Sequence, residues 1–144
     1  MSQFSASSLR NLESARHELQ DLCHAAIEQF DFKVLDSVRG RAAQEKAFRE
    51  GHSKVHFGES AHNYKPAIAL DLFPAPFDWD DKQAFITFQL KIIKPLAKKL
   101  GIPIRQGIDW NMNGDITDER FVDMPHVELH PWREWAKKSR LYED

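Results

Sequence analysis

An α+β domain is what the sequence predicts, on three observations. The chain has 144 residues, 42% of them hydrophobic, enough for one domain spanning 1–144 with a real core and too few for two ordinary ones. Two long segments repeat apolar residues at spacings of three and four, a helical period. Several short apolar runs do not alternate and end in Pro or Gly, which reads as strands.

Residues 8–30 predict an amphipathic helix through Leu9, Leu12, Leu19, Leu22, Ala26, Ile27 and Phe30. Cys23 lies beside that stripe and reads as a buried, inert thiol. "FKVLDSV", 32–38, predicts a strand. "RAAQEKAFREG", 41–51, predicts a short helix with Gly51 as its C′ residue. Residues 52–66 form a polar loop. "AIALDLF", 67–73, predicts a strand stopped by Pro74 and Pro76. Residues 78–101 predict the longest helix, capped by Asp78 or Asp80, closed by Gly101, and bent or split near Lys94 by Pro95. Short strands are predicted at 102–108 and 126–130, with a polar loop between them. The tail "PWREWAKKSRLYED" predicts a short helix that Trp132 and Trp135 pack onto the core.

The bulk properties exclude several functions. A net charge of −2 argues against a general nucleic-acid binder. One cysteine, Cys23, permits no internal disulfide and no multi-cysteine zinc site. No stretch approaches the apolar length of a membrane helix. The polar start "MSQFSASSLRNLE" is unlike a signal peptide, so the chain is expected to be made in the cytoplasm, without membrane insertion.

A metal-dependent hydrolase commonly takes three protein ligands from His and carboxylate, with a further carboxylate to move protons. His62, Asp71 and His126, with Asp123, match that need. The alternative from the residues alone is a turn followed by a buried strand, with polar side chains at its rim.

The order of the whole pattern adds to this. Ser60 and His62 form Ser-x-His, and Ala69 and Asp71 form Ala-x-Asp. Asp123 and His126 form a late Asp-x-x-His, and Arg39 with Gln44 stands upstream. The sequence from about 33 to 130 thus resembles the zinc peptidases that cut bacterial peptidoglycan. These are the D-Ala-D-Ala carboxypeptidases and the phage L-alanyl-D-glutamate endopeptidases. The resemblance implies a Hedgehog/DD-peptidase-like fold, a short, mostly antiparallel sheet flanked by helices. It implies Zn2+ on His62, Asp71 and His126, and Asp123 as general base. Arg39 would hold substrate or the developing oxyanion, and Ser60 would hydrogen-bond near the ligand loop. Glu128, on the face of the strand that carries His126, is read as a partner that orients an imidazole.

Two departures stand out. Eight residues, not six, separate His62 from Asp71, with no glycine among them, so the loop is expected to take a wider path, set by Pro66. The base is Asp rather than Glu, which favours the phage endopeptidases. The implied function is an endolysin that cleaves the L-Ala–D-Glu bond of peptidoglycan stems as a monomer, acting on the cell wall after release. The alternatives are a D-Ala-D-Ala carboxypeptidase and a non-catalytic peptidoglycan- or metal-binding module.

A second motif lies in the polar loop. Asp109, Asn111, Asn113 and Asp115, with Gly114, space like a Ca2+ loop, though Arg120 stands where a bidentate Glu is expected. Calcium there would act as a switch close to Asp123. The competing reading is an Asx-rich turn.

Overall fold

Four strands lie side by side: β1 (Phe32–Asp36), β3 (Ala69–Pro74), β5 (His126–Leu129) and β4 (Ile104–Gln106). Each neighbouring pair is antiparallel. The computed structural model describes residues 2–119 and 122–143. The central strands β3 and β5 are the two that carry Asp71 and His126. Their register sets those two residues opposite each other, and sets Glu128 opposite Ala69. Both faces of these strands are covered, so Ile68, Leu70, Leu72, Val127 and Leu129 are all fully buried. That is why their sequences run apolar instead of alternating.

The predicted helix 8–30 is two helices, α1 (Ala6–Glu13) and α2 (His17–Ile27). The break between them is used by the sheet side of the fold. The Ser14 carbonyl accepts the Ala67 N–H at 2.8 Å, and the Arg16 N–H donates to the Ala67 carbonyl at 2.9 Å. These bonds replace intrahelical ones just before β3 begins. Leu12 and Leu19 both remain buried, so the apolar spacing carries no mark of the break. On α2, Leu19, Leu22, Cys23 and Ala26 form the core with Phe88, Ile93 and the inner residues of β3. Burial pushes the Cys23 thiol pKa far up, and it is inert.

The predicted helix 78–101 starts later. Its cap is Asp81, whose carboxylate accepts the Ala84 N–H at 3.0 Å; Asp78 instead accepts the Asp80 N–H. The helix runs as α4 (Lys82–Thr87), a π-helical segment (Phe88–Ile93) and α5 (Lys94–Leu100). Pro95 has no N–H and crowds the preceding turn. The wide turn ahead of it, in which the Lys94 N–H reaches back to the Gln89 carbonyl, takes the place of a split.

Helix α3 (Arg41–Arg49) follows β1, and a 3-10 turn (Ala61–Asn63) leads into β2 (Tyr64–Lys65). The tail forms α6 (Trp132–Ala136) and then β6 (Arg140–Leu141), which pairs with β2. Trp132 and Trp135 pack partly buried against the core. Among the described residues no helix is long and apolar enough to cross a membrane.

Candidate active site

His62 reaches the site from the 3-10 turn. The Ser60 hydroxyl caps this turn by accepting the His62 N–H at 3.2 Å. Asn63 ties the turn to its surroundings. Its amide oxygen accepts the Gly58 and Ser60 N–H groups, and its amide nitrogen donates to the Arg39 carbonyl and Gln44 Oε1. Gln44, wholly buried on α3, also accepts from the Arg39 guanidinium at 3.1 Å. The loop from His62 to Asp71 then passes through β2 and a cis Lys65–Pro66 peptide before joining β3.

Three atoms converge between these elements. His62 Nε2 lies 3.2 Å from His126 Nδ1. Asp71 Oδ1 is 3.3 Å from the first and 3.5 Å from the second. The far nitrogen of each imidazole is committed elsewhere. His62 Nδ1–H donates to the Ser37 carbonyl at 2.8 Å, which can only accept. His126 Nε2–H donates to Glu128 Oε1 at 2.8 Å. The converging nitrogens therefore both offer lone pairs, as does the carboxylate. Asp71 Oδ1 is buried and has no hydrogen-bond donor of good geometry. Three acceptors facing one point need a cation, so His62, Asp71 and His126 can hold a metal ion.

Without a metal, a proton does part of that job. Burial alone would lower the His126 pKa, but its contacts with Asp71 and Glu128 and the nearby Asp123 charge push it up to about 10. Burial alone would raise Asp71, but the two imidazoles overcome this and hold its carboxyl well below the carboxylate range.

Asp123 stands next to the triad, with Oδ2 3.9 Å from His126 Nδ1. Burial, with help from the Asp71 charge, pushes its pKa up against the pull of His126, His62 and Arg39. The segment 123–126 is a turn closed by the His126 N–H on the Asp123 carbonyl at 3.2 Å. A residue before proline favours extended geometry, so Met124-Pro125 predicts a stiff, extended lead-in to the strand; the structure has a turn there instead. Arg39 holds Asp36 through Nε and Nη2, and its Nη2 is 3.8 Å from Asp71 Oδ2. Glu128 is 3% exposed and accepts from Arg105 Nε and Nη2 at 3.1 and 2.8 Å.

A family model described as phage L-alanyl-D-glutamate peptidase matches residues 1–130. The chain belongs to that family. It is 31% identical to the L-alanyl-D-glutamate peptidase of Escherichia phage T5, over 88% of this chain and 96% of that protein. The fold is that of the Serratia marcescens L-Ala D-Glu endopeptidase ChiX. There the TM-score is 0.70 at 22% identity, covering 93% of this chain and 94% of that one.

The polar loop of the peptidase adjoins the triad through Trp110, whose ring lies 5.1 Å from that of His126. Asp109 is 6% exposed; its Oδ2 accepts the Gly114 N–H at 2.9 Å, and its buried Oδ1 has no partner. Asn111 and Asn113 are exposed, and their amide oxygens accept the N–H groups of Asn113 and Asp115, as in Asx turns. Asp115 caps the 3-10 turn Ile116–Asp118. Arg120, at the twelfth position, lies outside the described residues.

Several positioning groups carried no clear signal in the sequence. Gly107 accepts the Asp123 N–H and donates to the His126 carbonyl, so it clasps the turn. Gln89, on the π-helical segment, donates to the Met124 carbonyl at 3.1 Å and is itself held by Gln106. Arg105 was legible only in part. A strand at 126–130 exposes Glu128's face to a neighbour, but the register that pairs them is not written in either segment.

Proposed function

We propose that this peptidase cleaves the L-Ala–D-Glu bond of peptidoglycan stem peptides, with one zinc ion on His62, Asp71 and His126. The convergence of three unshared acceptors carries the metal. A tetrahedral ion with bonds of about 2.0–2.1 Å spaces its ligand atoms about 3.3–3.4 Å apart. The distances of 3.2, 3.3 and 3.5 Å fit that figure. Two imidazoles and one carboxylate also leave a fourth position free, which suits a catalytic rather than a structural site.

Bound zinc would acidify a water and polarise the scissile carbonyl. The remaining chemistry belongs to side chains. Asp123 accepts the proton of the attacking water and returns it to the departing D-Glu nitrogen. Its position beside the ligands, 3.9 Å from His126, suits a group that works next to the metal without binding it. Arg39 offers a fixed guanidinium to substrate or to the developing oxyanion. Glu128 and the Ser37 carbonyl fix which imidazole nitrogens point inward. With peptidoglycan as its substrate, the protein would act on the wall as an endolysin. The test is removal of metal by a chelator. Cleavage of a stem peptide should cease and return with one zinc per chain. A chelated, metal-free protein of full activity would reject the role of the triad.

Asp109 favours a second ion. A buried carboxylate oxygen without a donor suits calcium, with Asn111, Asn113 and Asp115 completing the loop. Calcium titrated into zinc-loaded enzyme should change its rate without displacing zinc. Equal rates with and without calcium would leave the Asx turns as the loop's whole purpose.

A further inference from the structure

Two cavities meet at the triad, and their walls differ. One, of about 400 Å³, runs past Arg105, Trp110, Trp132 and Arg133, with Glu59 and the Arg105 partner Glu128 also in its wall. The other, of about 780 Å³, runs past Asp36, Lys46, Glu50 and Trp79. Arg39, His52 and Asp123 line both, so they are two arms of one cleft.

The tryptophans of the first arm are covered by cations. Arg105 lies over Trp110 at 5.0 Å, and Arg133 over Trp132 at 4.4 Å. Trp79 is different. It stacks on Phe73 at 4.3 Å with 16° between the rings, and Phe85 lies behind at 5.7 Å. Among the described residues no cation lies over its ring. It is 58% exposed. The stack sets the orientation of the indole, and its uncovered surface shares the cavity with the polar side chains of Asp36, Lys46 and Glu50.

The substrate has the same polarity. The scissile bond joins the L-Ala carbonyl to the D-Glu nitrogen. Past that nitrogen the stem bears free carboxylates. Before the L-Ala it is joined through a lactyl ether to N-acetylmuramic acid, a sugar with an apolar C–H face and a polar rim. Aromatic faces carry negative charge that attracts such C–H groups. We infer that the Trp79 arm is a carbohydrate subsite for the muramyl ring, and that the arginine-lined arm takes the acidic D-Glu side. This orientation rests on the function proposed above.

The test is equilibrium binding to the zinc-loaded protein. N-acetylmuramyl-L-alanine is the amino-side product, and N-acetyl-L-alanine lacks its sugar. Calorimetry with the wild type should show the sugar ligand bound about three- to tenfold more tightly than the sugar-free one, the scale of one good stacking contact. Trp79→Ala should remove that advantage. Trp79→Phe, which keeps the stack on Phe73, should retain most of it and so separates lost stacking from lost folding. Equal binding of the sugar ligand by wild type and Trp79→Ala, or no sugar advantage in the wild type, would overturn the subsite. A wild type that binds the sugar through Trp79 yet cuts no L-Ala–D-Glu peptide would keep the subsite and reject the peptidase reading.

Discussion

Asp123 and His126 sit three residues apart, and in the proposed function the first takes up a proton while the second gives one up to a metal. Asp123→Asn keeps the shape of the side chain and removes its basic oxygen. Turnover should fall by roughly 10²–10⁴, the usual scale for an acid–base group, while zinc content and thermal stability stay near wild type. A fast variant would return Asp123 to the role of a turn cap, where Asn serves well. A variant that loses its zinc would make Asp123 a ligand. His126 gives a separate, pH-dependent expectation. Its pKa is raised to about 10 in the metal-free protein. The proton's contacts thus stabilise that protein fully below about pH 6.5, the unfolded value, and are lost as pH rises through the folded value. A zinc ion on the triad would have to expel this proton in order to bind. Apparent zinc affinity should therefore rise by about tenfold per pH unit across the neutral range, where one proton is displaced. Competition against a chelator near pH 6 and near pH 7 measures this. Equal affinities would show that no proton is held between the ligands.

The elements explain why so few changes near the site would be tolerated. A Cβ on Gly107, just past β4, would collide with the Asp123 carbonyl oxygen and lie 2.9 Å from the Cβ atoms of Asp123 and His126. The first neighbour is backbone and cannot swing away. Gly107→Ala should push the 123–126 turn outward, lowering stability by about 1–3 kcal/mol, as overpacking does, and weakening zinc binding. Chemical unfolding of the metal-free protein and a zinc titration measure the two effects. Unchanged values in both would show that the turn shifts freely. On the other side of that turn, the π-helical segment brings Gln89 to the Met124 carbonyl. An irregular turn at such a place is a common way to aim one residue at a functional segment. Here Pro95 supplies the local reason for it. The sequence identifies Pro95 as a disturbance, but not that the helix absorbs it by widening. That choice depends on packing of Phe88 and Ile93 into the core. The break after α1 was hidden for a related reason. It is set by pairing with Ala67, more than fifty residues away, while the apolar stripe runs on unchanged.

At the scale of the whole molecule, the site is a product of sheet register. Asp71 and His126 are cross-strand partners on the two central strands, and both are held by covered, apolar runs that cannot slip without exposing their cores. Those runs and the His and Asp residues at their ends were legible in the sequence. Their meeting in one triangle was not, because register is a long-range property; the order of motifs resembling known peptidases supplied it instead. The charge difference between the two arms of the cleft was equally hidden, since Arg105, Trp110, Trp132 and Arg133 come from distant segments. In the function proposed here, these features would set one substrate across the molecule, with the L-Ala–D-Glu bond at the triad. The most direct measurement is to digest purified peptidoglycan with the zinc-loaded protein and identify the new amino termini. Release of D-glutamate amino termini, absent in the Asp123→Asn digest, is expected. New D-alanine termini or free D-alanine, or no new termini at all, would contradict it.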